Sequence, residues 1–285
     1  MTDSLTLDAP IKLGAKKANF NDTYDRPTPE AYYQALQGFD YRLPELARPL
    51  IERCIEALCR IRGRNRIRVI DLCCGYGVNA ALLNHKIDMD DLYDRYTDMA
   101  KASHPAETVI EADRRMFAKC RHASMKADII GVDVAANAIA YAKDAGLLND
   151  AFALNLERES PDAETRALFR GADLVTVTGG LSYIGAASFE RILDCFPEGR
   201  RPWVVWFPLR HTNVDKVTDT LARYGLRTDR QTTLPQRRMA DSGERQLVLR
   251  QLKEAGLNPA DKKAGYLHAI SAISHPEPSI HEVLS

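Results

Sequence analysis

With 285 residues, 45% of them hydrophobic, the chain is long enough to close one sizeable core carrying elaborations. Its 39 basic and 39 acidic residues cancel, which removes the global electrostatic footprint that nucleic acid or an anionic membrane would attract and leaves a small molecule as the expected partner. The six cysteines (Cys54, Cys59, Cys73, Cys74, Cys120 and Cys195) form no C-x-x-C pair, and no stretch reaches the length of a membrane span, so no metal framework, disulfide scaffold or span is expected.

The opening residues, MTDSLTLDAP, lack the basic-then-apolar pattern of a signal sequence, which predicts a reduced, cytoplasmic protein. Residues 1 to about 18 are polar and mixed and are expected to be disordered or loosely attached. Pro29 can then open a helix carrying Tyr32, Tyr33 and Leu36, and a second helix is predicted from about Pro44 to Leu58. Residues 1–60 thus read as an N-terminal helical cap ahead of a core over 61–285. In that cap Tyr24, Arg26, Tyr32 and Tyr33 either close over a ligand held by the core or simply pack the cap down. The following CRIRGRNRIR, residues 59–68, reads as a solvated basic connection rather than a nucleic-acid contact.

The stretch IRVIDLCCGYGVNAALL, residues 67–83, organises the rest. Alternating apolar residues make a strand, Asp71 interrupts them, Gly75 and Gly77 make a tight turn, and an Ala/Leu-rich helix follows. Such a loop gathers backbone N–H groups at a helix start, where a polar or anionic ligand can approach the main chain. Gly75, Gly77 and Ala80 also match the dinucleotide spacing G-x-G-x-x-G/A, but an acid at the strand end repels a pyrophosphate and favours a ligand bearing an amino group.

With Asp71 followed by Cys73, Gly75 and Gly77, the sequence resembles the class I S-adenosylmethionine-dependent methyltransferases, whose first motif runs acid-x-Gly-x-Gly-x-Gly; Cys73 replaces the first glycine. The resemblance covers roughly residues 67–210. It implies a Rossmann-like, doubly wound α/β sheet of seven mostly parallel strands with the last antiparallel, and S-adenosyl-L-methionine as cofactor. A second strand, Asp128 to Val134, ends in Asp133, whose carboxylate can accept from both hydroxyls of a ribose, with Val134 beside it. Asp133 lies about sixty residues after Asp71 where about twenty is usual, so about forty residues are inserted. In that helical insert, residues 85–127, Met89, Leu92, Tyr93 and Tyr96 make a docking stripe, a second helix follows Pro105, and His85, His104 and His122 lack metal-site spacing and are expected at the surface.

The third strand is predicted near Phe152 to Leu156, and the resemblance gives the adenine to Asn155 and Leu156. The fourth strand ends in Thr178, Gly179 and Gly180, on the face where open α/β sheets bind ligands, which places Thr178 to Tyr183 toward the transferred methyl group. Trp206, Phe207, Arg210 and His211 emerge after the fifth. A sixth strand is read in LRTDRQTTL, then a helix over about 242–256 capped by Ser242 and ended by Gly256, then a last strand in GYLHAISAIS.

The implied activity is in-line transfer of a methyl group to an O or N atom of a small molecule, with Tyr183 and His211 as catalytic candidates, His268 more distant, and no metal. Asp71, Cys73, Gly75, Gly77, Asp133, Val134, Asn155, Leu156, Thr178, Tyr24 and Arg26 make up the expected cofactor site. The competing readings are a non-catalytic cofactor-binding partner or regulator, and an RNA methyltransferase using the arginines at 60–68, 237, 238, 245 and 250. A homodimer is compatible with either enzyme.

Overall fold

A computed structural model describes residues 23–102, 104–123, 127–258, 265–276 and 284; the expectation for residues 1–18 falls outside these. Two helices, α1 (Glu30–Gly38) and α2 (Leu43–Arg62), lead into the sheet. In α2 the apolar residues Leu43, Ala47, Leu50, Ile51, Cys54, Ile55 and Leu58 fall at helical spacing and are all buried, and the helix stops at Gly63, whose φ of +61° suits a residue without a Cβ.

The strands are β1 (Ile67–Leu72), β2 (Ala127–Asp133), β3 (Asp150–Ala153), β4 (Leu174–Val177), β5 (Trp203–Trp206), β6 (Arg227–Arg238) and β7 (Tyr266–His275), in the spatial order β3-β2-β1-β4-β5-β7-β6. β1 to β5 are mutually parallel, and β7 runs antiparallel to both β5 and β6. The predicted doubly wound sheet with a reversed last strand is therefore present. Winding goes outward from β1 in one direction and from β4 in the other, so the carboxyl ends of β1 and β4 flank the switch point where such sheets bind ligands.

Side chains alternate across this sheet. Ile67 and Val69 of β1 face a core layer shared with α1, α2, α3 (Val78–Asn84), α4 (Met89–Met99), α5 (Ala106–Cys120) and α6 (Ala136–Asp144). Ile70 and Leu72 face the opposite layer, with α7 (Ala163–Phe169), α8 (Ala186–Leu193) and α9 (Asp215–Arg223). α10 (Ser242–Glu254) packs Val248 and Leu252 on Leu267 at the start of β7.

The insert docks through its predicted stripe: Met89, Leu92, Tyr93 and Tyr96 are buried, and Tyr96 stacks on Tyr33 of α1 with ring centroids 4.4 Å apart. Asp113 of α5 lies beneath, accepting from the hydroxyls of Tyr141 (2.5 Å) and Tyr96 (3.1 Å) and paired with Arg95.

Three expectations are corrected. β3 spans Asp150–Ala153: the Leu154 N–H on the Asp133 carbonyl (2.9 Å) is its last rung with β2, and the chain then leaves the sheet in a turn in which the Asn155 side chain accepts from the Glu157 N–H. The cap of α10 is Asp241, whose carboxylate accepts from the Glu244 N–H at 2.8 Å, so Ser242 is the first helical residue. His85 is 1% exposed, packed on Phe117 with Nδ1 3.1 Å from the Ala81 carbonyl. The arginine-rich connection is solvent-exposed, as expected, at Arg60, Arg64 and Arg66, and it is also anchored: Arg62 and Arg64 pair with the buried Asp173, Arg66 with Asp128, and Arg68 reaches the Leu168 carbonyl.

Candidate functional site

After β1 the chain turns through three residues with positive φ: Cys73 (+56°), Gly75 (+50°) and Gly77 (+77°). Left-handed backbone is open to glycine and costs a residue with a Cβ about 1 kcal/mol, so Cys73 sits where a glycine would be unstrained. The loop is tied to β2 by the Cys73 N–H on the Val132 carbonyl (2.8 Å). Gly77 is additionally required by packing, since a Cβ there would lie 3.1 Å from the Ala142 Cβ and 3.2 Å from Leu147.

Two buried acids flank the loop. Asp71, 1% exposed, accepts at Oδ1 from Asn79 Nδ2 (2.9 Å) and Thr176 Oγ1 (2.7 Å), while its Oδ2 has no hydrogen-bond partner in the protein. Burial pushes its carboxyl up to about 6, against the pull of those two hydrogen bonds. Asp133, at the end of β2, accepts at Oδ1 from the Ala135 N–H (3.0 Å) and at Oδ2 from the Gly75 N–H (2.8 Å) and the Tyr24 hydroxyl (2.9 Å). Burial raises its carboxyl as well, with the surrounding N–H and O–H donors opposing.

Tyr24 belongs to a strap laid across the ends of β1 and β2. Asp25, with φ +64°, caps α6 by accepting from the N–H groups of Asn137 (2.6 Å) and Ala138 (3.3 Å). The Arg26 N–H donates to the Tyr76 oxygen (2.7 Å), and the Tyr76 hydroxyl donates to the Arg26 carbonyl (2.9 Å), while the Arg26 side chain is exposed. A Cβ on Gly75 would stand 2.7 Å from the Tyr24 hydroxyl, which therefore lies directly over the glycine loop.

Asp71, Cys73, Gly75, Gly77, Asp133 and Tyr24 thus come together. Val134, next to Asp133, is 52% exposed, an apolar surface at the strand end. Asn155 builds a turn, accepting from the Glu157 N–H (3.1 Å) while its own N–H reaches Glu159, and Leu156 is buried with Leu72, Val132 and Phe169.

Across the switch point, Thr178 is buried with its Oγ1 unpartnered. Gly180 abuts Cys73, since a Cβ there would lie 2.7 Å from its Sγ, and Tyr183, 60% exposed, follows the loop. His211, after β5, lies near the buried pair in which Arg237 grips Glu244 at 3.0 and 2.5 Å. Burial pushes its imidazole below the ordinary histidine value, with Glu244 opposing. His268 is buried on β7 with Nδ1 3.1 Å from the Tyr266 carbonyl.

Sequence reasoning missed Asn79 and Thr176, which hold Asp71, and Tyr41 and Gln236, which face Gly179. Asn79, one turn into α3, was findable as a polar residue in an apolar helix; the other three carry no local signal. Among the described residues no group of three His, Cys, Asp or Glu is disposed to hold a metal, and no helix is long and apolar enough to cross a membrane.

No protein-family model matches the sequence, and no curated protein does. Solved structures give distant matches. Magnesium protoporphyrin IX methyltransferase from Synechocystis, with bound S-adenosylmethionine, is 10% identical over 79% of this chain and 78% of its own, with a TM-score of 0.37. A TehB-like S-adenosylmethionine-dependent methyltransferase from Corynebacterium glutamicum is 13% identical over 76% and 86%, with a TM-score of 0.33. A Geobacter sulfurreducens methyltransferase in complex with S-adenosyl-L-homocysteine is 14% identical over 79% and 91%, with a TM-score of 0.34. By its own strand order and reversed seventh strand, with the acid-bearing glycine loop at the switch point, the chain has the fold of the class I S-adenosylmethionine-dependent methyltransferases.

Proposed function

We propose that the protein is an S-adenosylmethionine-dependent methyltransferase acting on an O or N atom of a small molecule. The observation that carries this is the pair of buried acids around the glycine loop, one of them, Asp71, with an oxygen that nothing in the protein satisfies. A buried carboxylate oxygen without a donor costs about 1–3 kcal/mol or more, and a ligand ammonium relieves that cost. Asp133 supplies the acceptor for a ribose diol, on the oxygen that the Tyr24 hydroxyl now occupies. Val134 offers an apolar surface to a base, and the left-handed turn at Gly75 and Gly77 lets the ligand meet the main chain.

The cofactor supplies a methyl group on a cationic sulfur, which is already activated for displacement. What remains for the chain is alignment and exclusion of water, which together reach several kcal/mol of barrier. Tyr183 stands by the loop on the acceptor side, suited to orient a nucleophile. His211, whose imidazole burial shifts toward its neutral form, is suited to take the proton that a hydroxyl acceptor releases. Calorimetric titration with S-adenosylmethionine, S-adenosyl-L-homocysteine and NAD tests the reading. Binding of the first two and not the third is expected; binding of NAD alone overturns it, and binding without cofactor consumption over a metabolite panel turns it into a non-catalytic binder.

A further inference from the structure

Beyond the cofactor loop, the structure places a second unsatisfied acceptor at the switch point. β6 is an edge strand with no buried residue until its carboxyl end, where Gln236 and Arg237 are buried in succession. That succession sits on an irregularity in the ladder with β7: Pro235 pairs with His268 and Arg237 with Leu267, leaving Gln236 as an extra residue. A proline lacks the ladder N–H and is tolerated at such a place, and a bulge turns a side chain out of its expected face.

Gln236 is then pinned. Its carbonyl accepts from the Arg42 N–H at 2.9 Å, and its side-chain amide faces Gly179 together with the Tyr41 hydroxyl. Nε2 is the atom turned toward Gly179, and Oε1, on a residue 7% exposed, has no partner in the protein. Gly179, whose φ is +83°, leaves room for this approach: a Cβ there would run into the Tyr41 hydroxyl and lie 3.6 Å from Nε2. One residue earlier, Thr178 Oγ1 is also unsatisfied, and one residue later Gly180 abuts Cys73 of the cofactor loop.

We propose that Gln236 determines acceptor specificity by receiving at Oε1 a hydrogen bond from the O–H or N–H of a neutral methyl acceptor held against residues 178–180. This rests on the methyltransferase reading above. An amide oxygen offers only lone pairs, so it selects a donor and turns away a carboxylate. The neighbouring Arg237 does not reverse this preference, because Glu244 neutralises it in a bidentate pair. A site built around a buried acceptor discriminates strongly against an analogue lacking the donor, since the acceptor is then left unpaired.

The test uses the full chain, labelled with nitrogen-15 and saturated with S-adenosyl-L-homocysteine. Two matched pairs of probes are titrated, phenol against anisole and 1-butanol against methyl propyl ether. The Gln236 side-chain resonance is identified by its loss in Gln236→Met. At least one donor-bearing probe is expected to shift that resonance and bind at least tenfold more tightly than its ether. In Gln236→Met the preference is expected to vanish while S-adenosyl-L-homocysteine binds as in wild type, which also certifies the fold of the variant. Equal binding of alcohol and ether, no response to any of the four probes, or an undiminished preference in Gln236→Met overturns the proposal and leaves the cofactor reading standing. Failure of the wild-type chain to bind S-adenosyl-L-homocysteine removes the cofactor reading itself, and the acceptor assignment with it.

Discussion

The two sides of the switch point are made in different ways. On the β1–β2 side the backbone does most of the work: three left-handed residues shape the loop, and main-chain N–H groups of Gly75 and Ala135 hold Asp133. On the β4–β6 side the backbone supplies only a bare loop at Gly179 and Gly180, and the polar groups facing it, Tyr41 and Gln236, come from opposite ends of the chain. A binding half dictated by backbone conformation restricts residue types at fixed spacing, whereas a half assembled from remote side chains can change its chemistry without disturbing the loop. This division suits an enzyme that keeps one cofactor while its acceptor is set separately.

The largest expected effect breaks the first side alone. Asp133→Ala removes the diol acceptor and the anchor of the Gly75 N–H, and is expected to weaken S-adenosyl-L-homocysteine by about 2–3 kcal/mol, a factor of roughly 30–150. Calorimetry on wild type, Asp133→Ala and Gln236→Met compares the two sides directly. An equal loss in both variants would make them one site rather than two.

Next in size is a pH dependence that only the β1–β2 side carries. Burial raises Asp71 to about 6, above its unfolded value of about 3.9. The folded state therefore binds this proton more tightly, so the group's contribution to stability is full below about pH 4 and is lost as pH rises through 6. Capture of an ammonium needs the ionised form. Affinity for S-adenosyl-L-homocysteine is therefore expected to fall about tenfold per pH unit below 6, with proton release on binding near that pH. Asp133 is also raised, so Asp71→Asn separates the two: it should bind weakly and without the release. Release that survives in Asp71→Asn assigns the titration to Asp133.

How much of this was legible follows the same division. Most strands and the insert's docking stripe could be read because each is a periodicity within one segment, whereas the reversed last strand came from the resemblance at the glycine loop. Asp71, Gly75 and Gly77 could be located because a left-handed turn after a strand admits few residue types. Tyr41 and Gln236 left no trace, since their juxtaposition depends on the ladder irregularity between Pro235 and Arg237 and on the Arg42 N–H reaching β6. His85 misled for a related reason: histidine is usually at least partly exposed, and its burial against Phe117 is decided by where α5 of the insert lands.

A smaller effect sharpens the role of the strap. Tyr24→Phe keeps the ring contacts with Tyr32 and Tyr76 and deletes only the hydroxyl on Asp133. If that hydroxyl holds the place of the diol, S-adenosyl-L-homocysteine should bind the variant severalfold more tightly, by about 0.5–1.5 kcal/mol for one hydrogen bond no longer exchanged. Weaker binding would instead put the hydroxyl on the ligand, as a cap closing over the cofactor.

The smallest effect concerns Cys73, the one position where the loop departs from glycine. Its φ of +56° costs a residue with a Cβ about 1 kcal/mol, which Cys73→Gly would recover. Glycine, however, gives the unfolded chain about 0.4–1 kcal/mol of extra conformational freedom and gives up the thiol's packing against Gly180. These terms oppose each other, so Cys73→Gly should unfold within about 0.5 kcal/mol of wild type. Cys73→Ala keeps the backbone penalty and still loses the sulfur contact, so it should be the less stable variant, inverting the usual order of alanine over glycine. Urea unfolding of the pair measures this, and alanine proving the more stable would mean that the loop opens without left-handed strain at Cys73.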